Sequence, residues 1–224
     1  MAVPEQRGGL GESRSAVSAA WIAPPDAVAW LVVGHGAGSG MDHPFLVGFA
    51  RAMAVDGIAT ARFNFHYANA GRRSPDAEPS LRAAWMEAFE GARALAGDLP
   101  VFAGGKSLGG RIASMCVADG MPAAGLVFLG YPLHPPGKPE RIRDKHLYEI
   151  QVPMLFLQGT RDPFAQEALL AKVLKKLGPR AGLHAVEGGD HSFRVRGVKA
   201  EDRGIGASLA AVVAPFVLRV VGAS

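Results

Sequence analysis

The chain has 224 residues, 49% hydrophobic and 20% charged, which is enough apolar material for one sizeable core. Its formal net charge of +4 raises nucleic-acid binding, but the basic residues are scattered. Lys172, Lys175 and Lys176 fall on the polar side of a predicted helix, and Arg72, Arg73, Arg194 and Arg196 fall in loops, a pattern of solvated surface that argues against a phosphate track.

In chain order, the first 15 residues are rich in Gly, Ser, Arg and Glu and are expected to be disordered, leaving 16–224 as one domain. Ala27 to Val33 is a continuous apolar run, the pattern of a buried parallel strand, and it delivers the glycine-rich loop His35-Gly36-Ala37-Gly38-Ser39-Gly40. Pro44 suits the first turn of a helix in which Phe45, Phe49 and Met53 recur every four residues, with Gly57 to end it. Ile58 to Phe65 is the next strand, putting Asn64, His66 and Tyr67 at its C-terminal end. Residues 68–79 form a loop long enough to overhang a site, and Ser80 is placed to cap a helix whose stripe is Leu81, Trp85, Ala88, Ala92 and Leu95.

Val101 to Ala103 is a strand that breaks into Gly104-Gly105-Lys106-Ser107-Leu108-Gly109-Gly110, after which Ile112, Met115 and Cys116 recur at helical spacing. Strand, tight glycine turn and helix in that order present a serine at a sharp elbow, with the helix N-terminus behind it to stabilise a developing oxyanion. Ala124 to Gly130 is a further strand, and Pro132 to Ile150 a proline-rich, charged connection. Met154 to Leu157 leads to Gln158-Gly159-Thr160-Arg161-Asp162-Pro163-Phe164 and a helix from about Ala165 to Leu177. Leu183 to Val186 is a short last strand before Gly188-Gly189-Asp190-His191-Ser192-Phe193, and a helix of roughly Asp202 to Leu218 closes the chain.

Strands alternating with helices specify an α/β fold with a mostly parallel sheet of about six to seven strands, covered on both faces. Ligands then belong at the C-terminal ends of the strands. Ser107, Asp162 and His191 each follow a predicted strand and so share that edge. A serine hydroxyl is a weak nucleophile that needs a base within reach and an acid to orient the base. These three residues are the candidate catalytic set. Asp190 is a poorer acid than Asp162, because an immediate neighbour of His191 is badly placed to reach its outer ring nitrogen. His35 precedes the serine and is read as structural. The oxyanion donors expected are the N–H groups of Leu108 and Ala37, with Gly38 in reserve, each such donor being worth about 10²–10³ in rate. Arg72, Arg73, Arg161, Lys106 and Asn64 are possible rim residues, the cations favouring acidic acyl substrates.

His43, His66, His134, His146 and His184 show no metal-ligand spacing, so neither metal nor cofactor is expected. Cys116, the single cysteine, cannot form an intramolecular disulfide and reads as core. Glu5, Arg7, Glu12 and Arg14 interrupt any signal-peptide pattern, and no apolar run approaches the roughly 20 residues of a membrane span. A soluble cytoplasmic protein acting on a small molecule is expected, without nucleic-acid or membrane partners.

Over nearly its whole length after residue 26 the chain resembles the α/β-hydrolase superfamily, and within it the small uncapped serine hydrolases near the dienelactone-hydrolase group. His35 to Asp42, Arg62 to Phe65, Gly105 to Arg111, Gly130 to Gly137 and Gln158 to Phe164 are similar to a narrower family of bacterial predicted hydrolases. Its animal members include testis-expressed protein 30 and subunit 3 of the nonspecific-lethal chromatin complex. The resemblance implies a Ser107–Asp162–His191 triad, no large lid and hydrolysis of a small ester, lactone or thioester. Two departures stand out: dienelactone hydrolases proper carry a cysteine nucleophile where this chain has Ser107, and His66 stands where relatives would carry proline. Because some relatives serve as complex subunits, the alternative is a non-catalytic interaction module on the same fold.

Overall fold

A computed structural model describes residues 3–10 and 16–222. Eight strands form one sheet in the order β1-β2-β4-β3-β5-β6-β7-β8. The strands are β1 (Gln6–Leu10), β2 (Val17–Ile22), β3 (Ala29–Gly34), β4 (Ile58–Phe63), β5 (Val101–Lys106), β6 (Leu126–Leu129), β7 (Met154–Gly159) and β8 (Ala181–Val186). From β4 to β8 every pairing is parallel, whereas β1 pairs with β2, and β2 with β4, antiparallel.

The apolar continuity of the central strands follows from cover on both faces. Along β3, Trp30 and Val32 join one core with α3 (Glu78–Ala96), α4 (Leu108–Ala118) and α5 (Glu167–Leu177). Leu31 and Val33 join the other with α1 (Pro44–Val55) and α6 (Asp202–Gly222). On the α3 side Trp85 is fully buried, and its indole N–H donates to Gly109 O at 2.9 Å, tying α3 to the first turn of α4. On the other side α1 and α6 approach at Gly48 and Gly206: a β-carbon on Gly48 would lie 2.0 Å from Arg203 O, and one on Gly206 1.9 Å from Phe45 O. That close crossing brings the N-terminal ends of both helices to one place beside the sheet edge.

Several sequence expectations are corrected. Gln6–Leu10, expected within a disordered segment, is an edge strand, while residues 11–15 lie outside the described part. Its order has a cause in the buried Arg62, whose guanidinium pairs with Glu5 and donates to Met41 O at 2.6 Å. Burying that cation is tolerable only with partners, so the N-terminal segment is held down by a charge the core cannot leave bare. With β1 and β2 the sheet has eight strands, above the six to seven expected. Helix α3 begins at Glu78, with Ala77 at the cap position and Ser80 inside its first turn. Strand β4 ends at Phe63, and a short helix α2 (His66–Asn69) follows. His66 occupies the first position of α2, whose N–H needs no helical partner, which is why proline is compatible there. Helix α6 has 21 residues and would by length and composition suffice to cross a bilayer, contrary to the expectation that no segment does. Ile205, Leu209, Val213 and Phe216 are buried in the α1–α6 core.

Candidate active site

The elbow is set by sterics. Ser107 has φ 50° and ψ −111°, a conformation costing a residue with a side chain about 1–3 kcal/mol. The flanking glycines make it attainable, since a β-carbon would fall 2.3 Å from Gly34 O at Gly105 and 2.1 Å from the same oxygen at Gly109. No larger residue lets β5, the turn and α4 come this close to β3.

The acid loop is set by hydrogen bonds. Asp162 follows β7 and its side chain is wholly buried, a state a carboxylate accepts only when its oxygens are partnered. Oδ1 accepts the Phe164 N–H at 2.8 Å; Oδ2 accepts from the side-chain amide of Gln158 and meets His191 Nδ1 at 2.6 Å. Gln158 is itself fixed by accepting the Tyr131 N–H at 2.9 Å. The connection after β6 props the loop from outside: the His134 N–H donates to Phe164 O, and His134 Nε2 accepts the Gln166 N–H at 3.0 Å.

His191 sits on a tight turn after β8. Asp190 Oδ1 accepts the N–H groups of Ser192 and Arg194 at 2.7 and 2.9 Å, so Asp190 shapes the turn and Asp162 orients the ring. The far nitrogen, Nε2, lies 2.9 Å from Ser107 Oγ. Phe164 packs over the imidazole with ring centroids 4.3 Å apart. Two hydrogen bonds thus connect hydroxyl, imidazole and carboxylate in one line. With Nδ1 protonated toward Asp162, Nε2 is the free acceptor facing the hydroxyl.

Ser107 and His191 open into a cavity of about 380 Å³ lined also by Ala37, Phe45, Leu46, Lys106 and Phe164. Ala37 borders the same cavity as Ser107, and Leu108 opens α4, where a helix leaves its first N–H groups without helical partners. His43 and Asp202, from the N-terminal ends of α1 and α6, form the outer wall with Arg194.

The expected rim is otherwise corrected. Lys106 lines the cavity, but Arg72, Arg73, Arg161 and Asn64 do not. Arg72 is exposed and pairs with Asp76 at 2.6 Å, and the Arg73 backbone passes beside the glycine loop, its O 3.7 Å from where a β-carbon on Gly38 would lie. Asn64 instead accepts the Met41 N–H at 2.7 Å and pins the glycine loop from below. His35 is structural, as read: buried, it donates from Nδ1 to Gly36 O and accepts the Phe65 N–H at Nε2, and burial lowers its pKa. Cys116 is buried, and burial pushes its thiol up to about 12. Among the residues lining the cavity, none comes from 132–150; Leu133, Leu147 and Ile150 of that connection are core.

A family model described as alpha/beta hydrolase domain matches residues 27–216. The chain belongs to that family. Among solved structures, this α/β-hydrolase-fold chain is similar to a dienelactone hydrolase from Anabaena variabilis, with a TM-score of 0.78 and 17% identity over 98% of this chain and 99% of that one. A lidless α/β serine hydrolase from Xanthomonas campestris matches with a TM-score of 0.73 and 20% identity over 96% and 94% of the two chains. A cold-adapted esterase from an Arctic intertidal metagenomic library gives 0.69 and 16% over 96% and 94%. At such identities the likeness is one of fold.

Proposed function

We propose that the protein is a serine hydrolase that cleaves a small carboxylic ester, lactone or thioester through an acyl-enzyme. The observation carrying this reading is the continuous hydrogen-bond line from Ser107 Oγ through His191 to Asp162, with every other polar contact of Asp162 satisfied. In the first half-reaction Ser107 Oγ attacks the carbonyl carbon while His191 Nε2 accepts the hydroxyl proton, and Asp162 stabilises the imidazolium. The tetrahedral oxyanion is held by the N–H groups of Leu108 and Ala37. Collapse breaks the acyl–oxygen or acyl–sulfur bond, and the imidazolium returns the proton to the leaving group. Water then attacks the acyl-enzyme with the same base, freeing the acid and Ser107.

Esterases and a dienelactone hydrolase among the structural neighbours support this class of chemistry, and two of the stretches that resemble the family of testis-expressed protein 30, Gly105 to Arg111 and Gln158 to Phe164, carry Ser107 and Asp162. The test is turnover of a panel of short-chain aryl esters and thioesters by the purified protein and by Ser107→Ala and His191→Ala. Hydrolysis lost in both variants is expected. Hydrolysis that survives in both, or is absent from a folded wild type for the entire panel, contradicts the reading and favours an interaction module.

A further inference from the structure

Lys106 is the residue before the nucleophile, and its side chain lines the cavity rather than the outside of the turn. Gly130, φ 75°, makes room for it: a β-carbon there would lie 3.2 Å from Lys106 Nζ. The ammonium has the face of Phe193 at 5.8 Å, and among the described residues it makes no hydrogen bond and no ion pair. The other charged groups nearby are committed. Arg194 pairs with Asp202 at 2.6 Å, and Asp202 reaches His43 at 3.8 Å, so the outer wall neutralises itself. Asp162 is engaged by Gln158, Phe164 and His191, and Asp190 by the N–H groups of Ser192 and Arg194.

An ammonium half-buried without a hydrogen-bonding partner is destabilising, and desolvation lowers the pKa of Lys106 to about 8 despite the opposing charges of Asp162 and Asp190. Proteins retain such a group where something else needs it. Beyond Lys106 the cavity offers the apolar side chains of Phe45, Leu46 and Phe164 inside the polar outer wall of His43, Arg194 and Asp202, and its volume is near the low end for small-molecule sites. These features suit a short apolar chain ending in one negative charge.

We propose that the substrate is a half-ester or half-thioester of a short dicarboxylic acid, and that Lys106 binds its free carboxylate while Ser107 attacks the esterified carbonyl. The proposal rests on the hydrolase reading. The carboxylate takes no part in bond making; it forms a charge-assisted hydrogen bond to Nζ, an interaction worth roughly 10- to 100-fold in binding. Because Lys106 and Ser107 are adjacent, the anchor is fixed relative to the acyl carbon through both half-reactions.

The experiment compares kcat/KM for monomethyl glutarate with that for dimethyl glutarate, followed by methanol release, in the wild type, Lys106→Met and Lys106→Arg. Fluorophosphonate labelling of Ser107 is measured beside it. The wild type should favour the monoanion by about 10-fold or more, Lys106→Met should bring the ratio to about one or below, and Lys106→Arg should retain most of it. The wild-type ratio should also fall as pH rises through about 8, where Lys106 loses its proton. His43, Asp162, Asp190, His191, Arg194 and Asp202 also surround the site, and Lys106→Met carried through the same pH series separates their contribution from that of Lys106. A melting temperature for Lys106→Met no lower than the wild type's excludes misfolding as the cause.

A wild-type ratio near one, a ratio unchanged in Lys106→Met, or an equal loss on both esters in that variant overturns the proposal; the last would assign Lys106 to the transition state. Labelling of Ser107 without turnover of either ester also overturns it and leaves the hydrolase reading standing. Absence of labelling as well removes both.

Discussion

Ser107 and Asp162 are fixed by opposite means. The serine is held by exclusion: Gly105 and Gly109 press against Gly34 O, and the backbone at Ser107 is forced to positive φ. The aspartate is held by attraction, through Gln158, the Phe164 N–H and His191, on a loop propped by His134. Sterically fixed positions tolerate no added atom, whereas a hydrogen-bonded position loses function in proportion to the bonds removed. The elbow is therefore all-or-none, and the acid loop is graded.

Four substitutions sharpen that contrast, from the largest expected effect to the smallest. Asp162→Asn keeps the shape but presents the wrong hydrogen-bonding pattern to His191 Nδ1, and kcat/KM on any turned-over ester should fall about 10³–10⁴-fold with little change in melting temperature. Gly109→Ala should cost about 3 kcal/mol or more of stability, read by chemical denaturation, because its methyl group has only the Gly34 backbone to displace. Gln158→Leu removes one of the bonds to Asp162 and leaves the Tyr131 N–H unpaired; kcat should fall about 10-fold, as for one lost hydrogen bond to a charged group, with KM little changed. Ser107→Gly abolishes turnover but relieves the positive φ, so stability should rise by about 1 kcal/mol. A stability loss in Ser107→Gly, or a Gln158→Leu loss as large as that of Asp162→Asn, would break the distinction between the two modes.

The same contrast explains what could be read from the sequence. Steric devices leave composition behind: the glycines around Ser107 announce the elbow, and apolar runs ending in glycine announce strands that deliver loops to one edge. Ser107, Asp162 and His191 were legible because each lies directly after such a run. Hydrogen-bond devices leave little. Nothing in the letter Q at position 158 says that its amide will bridge β7 to Tyr131, and nothing about Glu5 says that it will meet the buried Arg62. The antiparallel strands β1 and β2 are not legible in the sequence because Arg7-Gly8-Gly9 and the small residues Ser18, Ala19 and Ala20 give no long apolar run. The length of the 68–79 loop does not reveal its course, which brings the Arg73 backbone beside Gly38 but leaves Arg72 and Arg73 out of the cavity lining. Lys106 is legible as one of several cations expected at the mouth of the site; that it has no hydrogen-bonding partner among the described residues is a property of the packed site alone.

The central claim is that the Ser107 hydroxyl is activated by His191. The most direct measurement is the rate at which a fluorophosphonate probe labels the protein, with the adduct located by peptide mass analysis and Ser107→Ala and His191→Ala run beside the wild type. Labelling confined to Ser107, absent in Ser107→Ala and slowed at least about 10³-fold in His191→Ala, is the predicted result. A folded wild type that reacts no faster than His191→Ala would contradict it, because the hydrogen bond from serine to histidine would then have no chemical consequence.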